Sequence, residues 1–137
     1  MIIFIMKKIY QSLKEIDGLN YLINIRSLEK SYLRRLFIRI NNTLKEKEYL
    51  ASSNAIKELV SQIGIKYLVI NFNEESVDND FKLKLIINNY EYLKKISGKL
   101  LLCGNIDISL CNNLYIDKID NELEAFKIID RRQNGLN

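Results

Sequence analysis

The sequence predicts an α/β fold: one domain built on a mixed β-sheet with a parallel centre and crossover helices, plus an extra N-terminal helix. Three observations lead there. Apolar runs of strand character alternate with stretches of helical periodicity along most of the chain. Two of those runs, "IKYLVINF" and "KLLLCG", are almost continuously apolar, as a strand buried on both faces must be. The 137 residues contain no repeat, low-complexity segment or linker, and they suffice for a single core.

The elements follow in order. Ile5, Met6, Ile9, Leu13 and Ile16 recur at helical spacing, with Lys7, Lys8, Gln11, Lys14 and Glu15 on the other side, and Asp17-Gly18 ends the pattern. Such a helix either covers a face of the domain or, being basic and amphipathic, meets a membrane surface or a partner. The run at its start, "MIIFIMKK", is far too short to span a membrane, and its lysines follow the apolar residues instead of preceding them as in a signal peptide. "NYLINIRS" and "RRLFIRIN" then predict a hairpin. In the second, Leu36, Ile38 and Ile40 alternate with Arg35, Phe37 and Arg39, and Arg26, Arg34, Arg35 and Arg39 are expected to line the solvent side of the hairpin.

"NNTLKEKEYLASSNAIKELVSQIG" predicts a turn and a helix whose apolar face is Leu50, Ile56, Leu59, Val60 and Ile63, stopped by Gly64. "IKYLVINF" is a buried strand. A second helix runs from about Asp80 to Ile96 with the stripe Leu83, Ile86, Ile87, Tyr90 and Leu93, and Ser97-Gly98 ends it. "KLLLCG" is another buried strand, "LYIDKI" a short one, and "DNELEAFKIID" a last helix capped by Asp120 or Asn121. The expected boundaries are a helical extension over 1–18, the domain over 19–130 and a flexible tail over 131–137.

Composition removes more hypotheses than any motif adds. Apolar content of 47% and charged content of 28% describe an ordinary globule. The net charge of +4 is spread along a chain rich in Ile, Lys, Leu and Asn, the bias of an AT-rich genome, so it is discounted as a phosphate-binding footprint. There is no histidine, hence no Ser-His-Asp or Cys-His nucleophile and no His-ligated metal. Cys103 and Cys111 match no zinc spacing and are expected as free thiols in a reducing cytoplasm. The five glycines are scattered and form no phosphate-cradling loop, and the eight tyrosines form no base-stacking platform. No cofactor is expected.

One stretch stands out: "INFNEESVDNDFKLKLIINNYEYL" passes from a buried strand through an acidic loop straight into a helix. Helix N-termini present unpaired N–H groups and a positive field. Asp78, Asn79 or Asp80 can satisfy these as a cap. The same acids could also be read by a partner. Glu74, Glu75, Asp78 and Asp80 are otherwise weak as catalysts, since paired carboxylates need a cleft to raise one of their pKa values. A magnesium site on Asp78 and Asp80 has only two ligands behind it.

The segment "YLVINFNEESVDNDFKLKLIINNYEYLKKISGKLLLCG" resembles the STAS domain, the fold of bacterial anti-sigma-factor antagonists and of sulfate-transporter cytoplasmic tails. That family runs from a buried strand through a loop to an Asp-Ser-Ser/Thr-Gly motif opening a helix, then through a Gly-containing turn into another buried strand. "RRLFIRINNTLKEKEYLASSNAIKELV" is similar to the family's second strand, Gly-x-Leu turn and first helix, with Leu44 in the Leu place. "LYIDKIDNELEAFKII" is similar to its closing strand and helix, so the likeness covers roughly Asn20 to Ile129. "NIDISLCNN" is too short for the family's third full helix.

In the family, the first Ser or Thr after the Asp is phosphorylated by a kinase that is also an anti-sigma factor. Counting without a gap puts Asn79 at the family Asp, Asp80 at the phosphoacceptor, and Phe81 and Lys82 at the second hydroxyl residue and the Gly. A one-residue gap puts Asp78 at the Asp and Asn79 at the acceptor instead. Neither leaves a hydroxyl to modify. Asp80 carries one permanent charge, roughly half of what a phosphate brings.

The resemblance implies a non-catalytic regulatory module of the bacterial cytoplasm. Its partner face would comprise Glu74, Glu75, Asp78, Asn79 and Asp80, with Phe81 or Leu83 as an apolar anchor if exposed. The implied partners are an anti-sigma factor or kinase, another STAS protein, or the ATPase of a lipid transporter; a homodimer is left open. The alternative is a nucleic-acid or anionic-surface binder using Arg26, Arg34, Arg35, Arg39, Lys7 and Lys8.

Overall fold

The computed structural model describes residues 19–25, 34–41, 45–73, 78–107 and 116–133, with 109 and 114 besides. The helix expected before residue 18 lies outside the described residues. The described elements are β1 (Leu19–Ile25), β2 (Arg34–Ile40), a 3-10 turn (Glu46–Glu48), α1 (Tyr49–Ile63), β3 (Tyr67–Phe72), α2 (Asn79–Lys95), β4 (Lys99–Gly104), β5 (Asp117–Lys118) and α3 (Glu122–Gln133). The last helix therefore continues to Gln133, past the boundary expected at 130.

The sheet order is β1-β2-β3-β4-β5. β1 and β2 form the expected antiparallel pair, with Leu19 opposite Ile40 and Ile25 opposite Arg34. β2, β3, β4 and β5 are parallel neighbours, so the centre is parallel as expected. Parallel neighbours need a long crossover. α1 makes the one between β2 and β3, and α2 the one between β3 and β4.

Both crossover helices lie on one face of the sheet. There Leu36, Ile38, Ile40, Leu68, Ile70, Phe72, Leu100 and Leu102 meet Ile56, Leu59 and Val60 of α1 and Phe81, Leu85, Ile86 and Leu93 of α2. α3 covers the other face, where Phe37, Val69, Leu101 and Cys103 meet Ala125, Ile129 and the flanking Phe126. The Phe37 and Phe126 rings stack with centroids 4.2 Å apart. The apolar runs of β3 and β4 thus have a simple cause: their alternate side chains enter two separate cores.

The second core corrects the reading of β2. Arg35 was expected in solvent, yet it is 1% exposed and lies under α3. Its guanidinium donates to Asp130 at 2.9 Å and sits 5.9 Å from the Phe126 ring centroid. The alternation in β2 separates two covered faces, not core from water. The helix responsible begins 82 residues after β2 ends, at Glu122 against Ile40, so no local pattern near Arg35 announces it.

Two helical stripes also differ in detail. In α1, Ile56, Leu59 and Val60 are buried as expected, but Leu50 is 59% exposed, and Ser52, Ser53 and Ala55 fill the remaining inward places. In α2 the buried side holds Phe81, Lys82, Leu85, Ile86, Asn89 and Leu93. Ile87 is 41% exposed, and Leu83 and Tyr90 are only half-buried. α2 carries apolar residues on more than one side, and its contact with α1 selects the stripe that includes Phe81 and Leu85. Tyr49 of α1 stacks on Phe81 at 4.4 Å, and Asn88 donates to the Ser53 hydroxyl at 3.2 Å. Gly64 closes α1 in the left-handed region as expected. At the end of α2 that conformation falls on Ser97 (φ 57°) and not on Gly98.

Candidate functional site

The acidic loop ends where α2 begins. Asp78 is the N-cap, and its carboxylate accepts the Asp80 N–H at 3.3 Å while its carbonyl accepts the Lys82 N–H at 3.1 Å. The capping role open to three residues therefore falls to Asp78. Asp80 lies in the first turn with its side chain exposed, where the unpaired N–H groups of the helix favour negative charge.

Beside it is a cleft of about 270 Å³ between the start of α1 and the start of α2. Glu46, Asp78, Asp80 and Lys84 line it with charge, and Tyr49, Leu50 and Phe81 with apolar surface. The Tyr49 and Phe81 rings in its lining stack on each other. Phe81 is only 4% exposed, so the exposure required for it to act as an anchor is not met. Leu50 at the same cleft is the exposed apolar side chain instead. Leu83 is half-buried on the outer side of α2. Glu74 and Glu75 lie outside the described residues.

Behind this face, the strand ends are tied together by a set of residues that sequence reasoning passed over. Asn41, Asn73 and Asn105 each follow directly on β2, β3 and β4, in "RIN", "NFN" and "CGN". Asn105 donates to the Asn73 carbonyl at 3.0 Å, and Asn73 donates to the Asn41 side-chain oxygen at 2.9 Å. The Lys82 ammonium, 3% exposed, donates to the Asn105 carbonyl at 2.6 Å and lies 5.6 Å from the Phe72 ring centroid. Gly104 permits the close approach. It has φ 87°, and a Cβ there would sit 2.4 Å from the Phe72 carbonyl oxygen. The repeated Asn after each strand was the available signal, hidden in a chain where Asn is common everywhere.

On the opposite face, Glu122 at the start of α3 receives a two-pronged ion pair. Arg39 donates through Nε at 2.7 Å and Nη2 at 3.0 Å, and Asn71 adds a third hydrogen bond at 2.8 Å. The Arg39 hydrogen bond holds the Glu122 carboxyl below its ordinary range, against the opposing effect of burial. The Arg39 guanidinium is raised by the same partner. Cys103, nearby, has its thiol pushed up to about 11, first by burial and then by the Glu122 charge. A thiol so protonated at neutral pH is a core residue and not a nucleophile.

These contacts bear on the arginine reading. Arg35 and Arg39 are engaged with Asp130 and Glu122 under and beside α3. Arg26, Lys7, Lys8 and the side chain of Arg34 lie outside the described residues. Among the described residues, no three acidic or thiol side chains gather as metal ligands. No described helix is long and apolar enough to cross a membrane.

Neither a protein-family model nor a curated protein sequence matches the chain. Solved structures do. The anti-sigma factor antagonist SpoIIAA in its unphosphorylated form matches with a TM-score of 0.57 over 81% of this chain and 98% of that one, at 15% identity. The fold of this chain, a mixed sheet with a parallel centre and helices on both faces, is thus similar to that of SpoIIAA.

Proposed function

We propose that this protein is a non-catalytic regulatory module of the bacterial cytoplasm, working as an anti-sigma-factor antagonist or as a scaffold in a signalling complex. It binds a protein partner through the first turns of α2 and the adjoining cleft. The partner is an anti-sigma factor or kinase, another STAS protein, or a transporter ATPase. No hydroxyl stands among Asp78, Asn79, Asp80, Phe81 and Lys82, so the face carries a fixed charge and is not switched by phosphorylation there.

The observation that supports this most is the division of labour at the start of α2. Asp78 already caps the helix, yet a second carboxylate, Asp80, stays exposed beside a cleft lined by two stacked aromatic rings and an exposed Leu50. A charge next to apolar surface suits a protein surface that brings a cation and an apolar side chain together.

The test is affinity capture from the source organism's lysate with the wild type beside Asp80→Ala, read by mass spectrometry. A single protein retained by the wild type and lost by the variant is the expected result. Retained nucleic acid, or a partner indifferent to Asp80, would overturn the reading.

A further inference from the structure

Asp80, Leu83, Ile87, Tyr90 and Lys94 follow one another at alternating three- and four-residue steps, the spacing of one stripe down a helix. This is not the stripe that α2 buries. Ile87 is 41% exposed between half-buried Leu83 and Tyr90. Opposite charges close the two ends, with exposed Asp80 in the first turn and exposed Lys94 in the last. Exposed Lys84 and Glu91 flank the middle, again with opposite signs on the two sides of Ile87.

The pattern is antisymmetric in charge about Ile87, and that selects its occupant. Set a second α2 antiparallel against the first, with a two-fold axis at Ile87. Residues before the centre then face residues an equal distance after it. Asp80 meets Lys94 of the second copy, both about 10 Å from the axis at the helical rise per residue. The Leu83-Lys84 pair, four and three residues before the centre, meets Tyr90-Glu91, three and four after it. Leu83 and Tyr90 fall on one side of the stripe and Lys84 and Glu91 on the other, so apolar meets apolar and Lys84 meets Glu91 with an offset of one residue. Ile87 meets its own equivalent. Every pairing off the axis occurs twice, as an isologous interface requires. A parallel arrangement would instead face Asp80 with Asp80 and Lys94 with Lys94, so the charges also fix the orientation.

We propose that the outer stripe of α2 is a homodimer interface, with α2 packed antiparallel against α2 of a second copy of this chain. One helix pair is a small contact by the standards of stable complexes, so the dimer is weak, with a Kd on the order of 100 µM. Asp80 and Leu83 belong to this stripe and to the partner face alike, so dimer and partner-bound chain exclude one another. That exclusion rests on the function proposed above; the dimer does not.

Sedimentation equilibrium from about 5 µM to about 1 mM, bracketing that affinity, tests it with four proteins. The wild type is expected to pass from monomer to dimer mass. Ile87→Lys and Lys94→Asp, both exposed positions, are expected to stay monomeric with unchanged thermal melting. The charge exchange Asp80→Lys with Lys94→Asp is expected to restore the dimer. A wild type that stays monomeric, a dimer that survives Ile87→Lys, or a charge exchange that restores nothing would overturn the proposal. Lys94→Asp also separates the two readings, because it breaks the dimer while leaving the partner captured through Asp80.

Discussion

At the start of α2 the Asp78 carboxylate accepts the Asp80 N–H, while the Asp80 side chain stays in solvent. Two acids two residues apart are interchangeable on paper, and only the backbone geometry separates the cap from the charge left over. Substitution should separate them too. Asp78→Ala is expected to lower stability by about 1 kcal/mol through loss of the cap. Asp80→Ala is expected to stay within about 0.5 kcal/mol of the wild type. Urea denaturation measures both. Cys103 offers a second check at this scale. In a Cys111→Ser background Cys103 is the sole thiol, since the chain has two cysteines. Burial and the Glu122 charge push it up to about 11. A disulfide reagent at mild alkaline pH is therefore expected to label it only after denaturation.

At the scale of elements, α3 is the instructive case. Its own periodicity and a cap at Asp120 or Asn121 were legible, and of the two it is the Asn121 side chain that accepts the Glu124 N–H, at 2.9 Å. Where it docks was not. It packs over β2 and β3 through Phe37, Arg35, Arg39 and Asn71, all distant in sequence, and in β2 the arginines of the local pattern read as a solvent face. A pH dependence follows from the Arg39–Glu122–Asn71 contact. The Glu122 carboxyl is held below its ordinary value of 4.5, chiefly by the Arg39 hydrogen bond. A folded-state value below the unfolded one means that the contact stabilises above the ordinary glutamate range. It is lost as pH falls through that range to the folded value. Glu122→Gln is therefore expected to be less stable than the wild type near pH 7, with the gap closing as pH falls below the ordinary glutamate range. Denaturation midpoints of the two proteins at several pH values check this, and a gap independent of pH would count against it.

For the whole molecule, the order and type of the elements could be read because β3 and β4 are apolar on both faces and each is preceded by a stretch of helical periodicity, α1 before β3 and α2 before β4. The hairpin followed from the alternation in β2. The side chains that finish the site were less legible. Lys82 looks like a surface lysine, yet it reaches back to the Asn105 carbonyl across the strand ends. Phe81 looks available, yet it stacks under Tyr49. The first depends on how α2 sits over the strand ends and the second on how α1 and α2 pack together, neither of which sequence spacing encodes.

The central claim is that the face formed by the 3-10 turn, the cleft and the first turns of α2 meets a protein partner. Hydrogen–deuterium exchange of the chain, free and bound to the captured partner, tests it most directly. Slowed exchange is expected over residues 46–50 and 78–88, which carry the cleft and the start of α2. Protection confined to α3 and β5, with α2 unchanged, would contradict it.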